Sequence, residues 1–70
     1  MKTRYKYINF VKIGDAEWWC HNNKSNVLLG KTGFNLRWKC FEFYPQPDIA
    51  FTDDCLADII DFMKQLEQKK

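Results

Sequence analysis

Histidine and cysteine, on which many catalytic and metal sites depend, are scarce in this chain. There is one histidine, His21, and the three cysteines form no C-x-x-C pair. A structural zinc site needs about four nitrogen or sulfur ligands, usually in closely spaced pairs, so we expect no metal. Cys20 and His21 are neighbours, but on a strand they would point to opposite faces and could not act as nucleophile and base. We therefore predict no catalytic residues, no cofactor and no enzymatic activity.

Long apolar runs, linkers and repeats are also missing from the sequence. No apolar run approaches the roughly 18 residues that a membrane span needs, and the first residues, MKTRYKY, are polar and basic, unlike a signal segment. An odd number of cysteines without such a segment is typical of an intracellular protein with reduced thiols. We expect a cytoplasmic protein without membrane contact, and 70 residues are enough for one domain, 1–70.

Aromatic and β-branched residues, by contrast, are plentiful, since aromatics make up 17% and all hydrophobic residues 46% of the chain. Their runs, separated by turn signals such as Gly14-Asp15 and Thr32-Gly33, predict four strands. The predicted strands cover about residues 5–13, 17–21, 27–31 and 36–44, and a helix covers about 53–68. The predicted fold class is α+β, a four-stranded antiparallel meander with one C-terminal helix packed on one face (ββββα).

The start of the helix is the best specified local feature. Thr52 suits the N-cap and is followed by two aspartates, whose charge favours the first turn, while Phe51 and Leu56 occupy the hydrophobic-staple positions. Lys69 and Lys70 carry the charge that a helix C-terminus prefers. The predicted apolar stripe comprises Leu56, Ile59, Ile60, Met63 and Leu66. The residues predicted to point away from it are Asp54, Asp58, Asp61 and Gln65.

The stretch EWWCHNNKS, Glu17 to Ser25, places apolar residues on both predicted sheet faces. On a strand, Trp18 and Cys20 share one face, and Trp19 and His21 share the other. The predicted fourth strand has Leu36, Trp38, Cys40 and Tyr44 on one face and Arg37, Lys39, Phe41 and Phe43 on the other. One helix covers only one face, so the second face is predicted to be an interface.

A second copy of the chain is the commonest way to cover such a face. We expect a homodimer that pairs sheet faces or edge strands and buries at least one of Trp19, Trp38 and Phe41. The alternative is a monomer whose rings are divided between the core and scattered surface positions.

Cations alternate with aromatic residues in KTRYKY and LRWKCFEFY, a mixture that single-stranded nucleic-acid binders use. The charge is also polarised, since residues 1–40 carry a net +6 and residues 41–70 a net −4. We predict that Arg4, Lys6, Arg37 and Lys39 contact phosphates and that Trp38 stacks on bases. The alternative is that any half-exposed strand alternates charged and aromatic residues.

The acidic helix suggests a different class of partner. Asp54, Asp58 and Asp61 could bind a basic protein surface, such as that of a host nuclease, although acidic helix faces are most often only solvated. A protein-interaction module is therefore the alternative function.

The second half of the chain, RWKCFEFYPQPDIAFTDDCLADIIDFMKQL, resembles short uncharacterised bacterial and phage proteins. Their pattern is an aromatic strand that ends in proline, a Phe-Ser/Thr cap and a Cys-Leu-x-Asp-Ile helix. The matching positions here are Trp38, Phe41, Phe43, Pro45, Phe51-Thr52, Cys55-Leu56 and Asp58-Ile59. The resemblance implies a bacterial or phage accessory protein without implying a mechanism. We predict an accessory protein of phage or mobile-element type, which acts in the host cytoplasm if it is phage-encoded.

The predicted order of elements is similar to that of single-stranded-DNA-binding transcriptional coactivators of the positive-cofactor-four and Whirly type. Those proteins have four strands followed by a helix, form dimers and bind DNA through strand surfaces, but no binding residue can be matched here. Small phage anti-CRISPR proteins also include domains of this size, which implies a host-defence inhibitor as the alternative.

Overall fold

The four strands and the helix follow each other in the predicted order. The computed structural model describes residues 1–69, with strands β1 (Ile8–Lys12), β2 (Trp18–Asn22), β3 (Leu28–Asn35) and β4 (Cys40–Pro45) and helix α1 (Asp53–Lys69). The strands form one antiparallel sheet in the order β1-β2-β3-β4. The predicted α+β class and ββββα arrangement are confirmed. The side chains of Lys69 and Lys70, whose charge was predicted to suit the helix C-terminus, lie outside the part of the chain that the structure describes.

Strand β3 is longer than predicted and the turn after it lies further along the chain. Thr32 and Gly33, predicted to turn, pair with β4 inside the ladder, and residues 36–39, predicted to start the fourth strand, form the turn. The reason is Asn35, whose Oδ1 accepts hydrogen bonds from backbone N–H groups of the turn. Gly33 is instead a ladder residue opposite Glu42, and a Cβ there would meet the Tyr44 ring only at an ordinary contact distance of 3.6 Å. The predicted bounds 27–31 and 36–44 are therefore wrong.

Strand β1 is shorter than predicted because residues 1–7 fold back along it as an N-terminal arm. The N–H of Phe10 donates to the carbonyl of Thr3 at 2.8 Å, and Arg4 forms an isolated bridge with Asn9. The N–H of Tyr5 donates to the carbonyl of Ile8 at 2.8 Å and closes the reversal. The arm therefore covers the outer edge of β1.

A bulge in β3 lies beside Gly30. Cys20 pairs with Gly30 and His21 with Leu28, so Leu29 is the extra residue. A Cβ on Gly30 would lie 2.4 Å from the ring of Phe43 and 2.8 Å from the carbonyl oxygen of Tyr44. This position therefore requires glycine for close packing of β3 on β4.

The core lies between the helix and one sheet face. Its buried residues are Tyr5, Ile8, Phe10, Cys20, Ile59, Phe62 and Leu66. Phe62 of α1 stacks on Phe10 with ring centroids 3.9 Å apart, and Trp18 meets Phe62 edge-on at 5.1 Å. The predicted alternation in β2 is confirmed, since Cys20 is buried opposite Phe10, whereas Trp19 lies opposite the exposed Val11 on the other face.

Helix α1 begins at Asp53 as predicted, and Thr52 Oγ1 accepts the N–H of Cys55 at 3.3 Å. The predicted stripe is partly wrong, because Leu56 is 46% and Ile60 53% exposed. Phe62, which was not in that stripe, occupies its centre because the rings of β1 and β2 receive it. The inner row is therefore Cys55, Ile59, Phe62 and Leu66, with Met63 beside it.

Asp61 and Gln65, two helix residues predicted to point away from the apolar stripe, bind the N-terminal arm. The hydroxyl of Tyr5 donates to Asp61 Oδ2 at 2.8 Å and accepts from Gln65 Nε2 at 2.9 Å. Gln65 also bonds the backbone of Lys2 through both of its side-chain groups. On the opposite flank of the helix, a Glu67 carboxylate oxygen accepts the N–H of Phe41 in β4 at 2.9 Å.

Within residues 1–69, no helix has the length and apolarity that crossing a membrane requires.

Candidate nucleic-acid interface

The turn between β2 and β3, residues 22–26, is named the polar turn here. Asn22 Oδ1 accepts the backbone N–H groups of Lys24 at 2.8 Å and Ser25 at 3.0 Å. The carbonyl of Asn22 accepts the N–H of Asn26 at 2.8 Å, and Asn26 has the left-handed φ of 61°. Asparagine tolerates this conformation better than most residues.

The turn between β3 and β4, residues 35–39, is named the aromatic turn and has the same backbone bonds. Asn35 Oδ1 accepts the N–H groups of Arg37 at 2.9 Å and Trp38 at 3.0 Å. The carbonyl of Asn35 accepts the N–H of Lys39 at 2.7 Å, and Lys39 has a φ of 56°. Consecutive turns of a meander lie at opposite ends of the sheet, so the two turns are separate surfaces.

The aromatic turn displays large apolar side chains beside cations. Leu36 is 81% and Trp38 70% exposed, and Arg37 and Lys39 are exposed as well. These three predicted binding residues, Arg37, Trp38 and Lys39, lie together, but at a turn. The prediction that they lie on a strand within a sheet face is wrong, because Asn35 ends the strand before them.

The other two predicted cations are remote from this turn. Arg4 and Lys6 belong to the arm beside β1, whereas the aromatic turn leads into β4, and β1 and β4 are opposite edges of the sheet. The Lys6 ammonium lies 5.2 Å from the centre of the Tyr7 ring. The structure therefore divides the predicted phosphate contacts into two groups on different edges.

A cleft of about 450 Å³ opens at the base of the aromatic turn. Its residues are Met1, Lys12, Asp15, Ala16, Trp18, Phe34, Phe41 and Leu66. Phe34 and Phe41 are directly opposed in the ladder, and their rings meet edge-on at 5.1 Å. In the sequence, this cleft is signalled only by the pair of phenylalanines that brackets the turn, and it was not predicted.

The sheet face opposite the helix carries aromatic rings accompanied by charged groups. The Lys31 ammonium lies 4.7 Å from the centre of the Trp19 ring, and Glu17 accepts the indole N–H of Trp19 at 2.5 Å. The Tyr44 hydroxyl donates to Glu42 on the same strand, and this bond raises the pKa of Tyr44. The face is therefore less apolar than the alternation predicted.

The predicted dimer residues lie on three different surfaces. Trp19 is half-buried on the open sheet face, and Trp38 projects from the aromatic turn. Phe41 faces the helix and packs against the core. One flat interface therefore cannot bury all three.

The predicted acidic surface of the helix is also divided. Asp54 is exposed, Asp58 is half-buried, and Asp61 accepts the hydroxyl of Tyr5. These three carboxylates therefore do not form a uniform exposed row.

The cysteine and the histidine of β2 are separated by the sheet. Cys20 is fully buried on the helix side, and burial, with a smaller contribution from the nearby Cys55, raises its pKa to about 12. A thiol in this state is not a nucleophile at neutral pH. His21 lies on the other face, where its Nδ1 is buried without a hydrogen-bond partner. Within residues 1–69, no three His, Cys, Asp or Glu side chains converge as metal ligands do.

Comparison with known proteins gives no relative of this chain. No family model matches it, and no curated protein or solved structure matches it either. The resemblances noted from the sequence therefore stay predictions.

Proposed function

We propose that this protein is a non-enzymatic binding module that holds single-stranded nucleic acid at its aromatic turn. The observation that carries the proposal is Trp38, which is 70% exposed on a hydrogen-bonded turn between two cations. Base stacking on an aromatic ring contributes about 1–3 kcal/mol per base, and Arg and Lys follow the phosphates. Arg37 and Lys39 are therefore assigned to phosphate contact and Trp38 to stacking.

Comparison of the aromatic turn with the polar turn supports this assignment. It has the same backbone bonds without any aromatic or aliphatic side chain at residues 22–26. Folding of such a turn therefore does not require the exposed Trp38, and a binding role accounts for it.

Titration of a labelled oligothymidylate at about 50 mM salt tests the proposal. We expect binding that weakens steeply as salt rises, because cations that neutralise phosphates release counterions. Arg37→Ala should reduce the affinity and the salt dependence, whereas Lys24→Ala on the polar turn should change neither. Undetectable binding, binding independent of salt, or equal losses in the two variants would contradict the proposal.

Leu36 favours a second candidate, a protein partner. Its side chain is 81% exposed, and an aliphatic group gains little from phosphates or stacked bases, whereas it suits an apolar groove of another protein. This candidate corresponds to a host-defence inhibitor of the anti-CRISPR type. Recovery of one protein from nuclease-treated host lysate by the wild-type chain, and its loss with Leu36→Ser, would favour it over nucleic acid.

The homodimer also stays a proposal, with a different surface. Leu56 and Ile60 are half-exposed on the flank of α1 that lies beside β4, where a second helix could cover them. Light scattering decides it, since a mass near 8.5 kDa means a monomer and twice that mass a dimer. Cytoplasmic location and phage origin rest on the sequence alone.

A further inference from the structure

We propose that the cleft at the base of the aromatic turn receives an unpaired nucleobase of the strand that the turn holds. This inference rests on the proposed function and names the part of the ligand that the neighbouring surface recognises. Ligand-binding clefts in proteins typically measure about 300–1,000 Å³ and are mostly apolar, and this one measures about 450 Å³.

The walls of the cleft suit a flat ring. Phe34, Phe41 and Trp18 are half-buried and line the opening, and Phe41 and Trp18 also pack against the core. The Phe34 and Phe41 rings brace each other at an interplanar angle of 71°, and Trp18 is braced by Phe62 at 72°. The rings are therefore held in place before a ligand arrives, which lowers the entropy cost of binding.

The charges at the rim suit an uncharged group. Lys12 and Asp15 line the cleft with opposite charges, and both are exposed. Because their charges are opposite, Lys12 and Asp15 together give little net attraction for a phosphate. The cleft therefore accepts the base, and the phosphates are left to Arg37 and Lys39.

The cleft is continuous with the aromatic turn. Phe34 directly precedes Asn35, and Phe41 directly follows Cys40, with which Asn35 pairs. A strand that stacks one base on Trp38 therefore has the cleft beside it for an adjacent base. Single-stranded nucleic-acid binders commonly stack successive bases on neighbouring aromatic residues.

A tryptophan reporter tests the inference. The double variant Trp19→Phe, Trp38→Tyr keeps a stacking ring on the turn and leaves Trp18, at the cleft, as the one source of tryptophan emission. Binding is measured independently by polarisation of labelled ten-nucleotide strands, an oligothymidylate and an abasic strand of equal charge. We expect the oligothymidylate to change Trp18 emission and the abasic strand to leave it unchanged.

The outcomes separate this inference from the proposed function. If the oligothymidylate binds by polarisation while Trp18 emission stays constant, the cleft is not the base site, although the turn still binds nucleic acid. If neither strand binds to the double variant or to the wild-type chain, the proposed function is wrong and the cleft inference falls with it.

A blocked cleft provides a second test with a matched control. Ala16 lines the cleft and Ala57 lies on the outward side of α1, and both are exposed. Ala16→Glu should weaken oligothymidylate binding about tenfold, the effect of losing one stacked base, whereas Ala57→Glu adds the same charge and should leave it nearly unchanged. Equal losses in the two variants, or an equal loss for the abasic strand, would overturn the base site.

Discussion

The polar turn and the aromatic turn share one pattern of backbone hydrogen bonds but expose different side chains. In each, a first asparagine bonds three backbone N–H groups, two through its side chain and one through its carbonyl, and the fifth residue is left-handed. The polar turn is also tied to the arm, because Asn23 bonds the carbonyls of Tyr7 and Tyr5 at 2.8 Å each. The aromatic turn instead displays Leu36 and Trp38. The backbone therefore constrains the first and fifth residues, and the residues between them are available for other roles.

Exchanging the turn sequences should have the largest effect. The variant Leu36→Asn, Arg37→Lys, Trp38→Ser, Lys39→Asn gives the aromatic turn the residues of the polar turn. We expect it to fold with at least wild-type stability and to lose single-stranded nucleic-acid affinity by about tenfold or more, since one stacking ring is removed. Circular dichroism and polarisation titration measure the two properties. Unchanged affinity would mean that the two turns differ in sequence without differing in role.

Removing the first asparagine should destabilise both turns alike. Asn22→Ala and Asn35→Ala each lose two side-chain hydrogen bonds to backbone N–H groups, and we expect each to lower the free energy of unfolding by about 1–2 kcal/mol. Urea denaturation measures this loss. Asn35→Asp is the control, because its carboxylate still accepts both bonds. A cost confined to one of the two alanine variants would break the equivalence of the turns.

Tyr5→Phe should distinguish the turns through the arm. The variant loses the hydroxyl bonds to Asp61 and Gln65 and should lower the free energy of unfolding by about 1 kcal/mol. Because Asn23 bonds the arm, NMR amide shifts are expected at the polar turn, with Lys39 unaffected. Equal shifts at both turns would show that the arm does not anchor the polar turn selectively.

Alkaline pH should weaken the attachment of the arm to the helix through the Tyr5 hydroxyl. Burial, followed by the hydrogen bond to Asp61, raises the pKa of Tyr5 above its ordinary value of 10.0. The unfolded chain then loses the tyrosine proton at lower pH than the folded chain, so stability falls as pH rises above 10. Cys20 acts in the same direction from its ordinary value of 9.0 upward. As pH rises, the midpoint of denaturation should fall less for Tyr5→Phe than for the wild-type chain. An equal fall in both proteins would exclude Tyr5 as a cause.

The smallest effect concerns the left-handed residue. Lysine is disfavoured at the φ of 56° that Lys39 adopts, whereas the polar turn has asparagine there. Lys39→Asn should therefore raise the free energy of unfolding by about 0.5–1 kcal/mol, while the loss of one phosphate contact should reduce the salt slope of binding by about 1. Asn26→Lys is the converse variant. Lower stability of Lys39→Asn would mean that the lysine side chain contributes more than its backbone strain costs.

The sequence correctly predicted features that depend on neighbouring residues, such as the start of the helix. Its prediction failed where one residue type, here glycine, occurs both in turns and inside strands. Thr52 and the aspartates after it located the start of the helix correctly. Gly33 was interpreted as a turn residue, although here it pairs with Glu42 inside the ladder, and the turn begins at Asn35 instead. The ends of β3 and β4 were misplaced for this reason, and with them the surface that carries Trp38.

The candidate site was predictable only in part for a related reason. The cations and the ring at residues 37–39 were identified, because their chemistry is visible in adjacent letters. The cleft is formed by the arm, β1, the segment up to Trp18, the paired phenylalanines and Leu66, which are distant in sequence. Phe62 was missed similarly, since the rings that receive it lie more than 40 positions away. Contacts of this range depend on topology, which local patterns do not specify.

The Glu67 carboxylate that accepts the Phe41 N–H also has a consequence for solubility. Strand β4 is an edge of the sheet and contains no lysine, so its backbone is a template on which other copies could add strands and grow into fibrils. The Glu67 carboxylate accepts one outward-pointing backbone N–H, that of Phe41, and places a negative charge at this edge. Pro45 has no backbone N–H to donate to an added strand. Part of the acidity of the helix is therefore explained by protection against aggregation, without any binding partner.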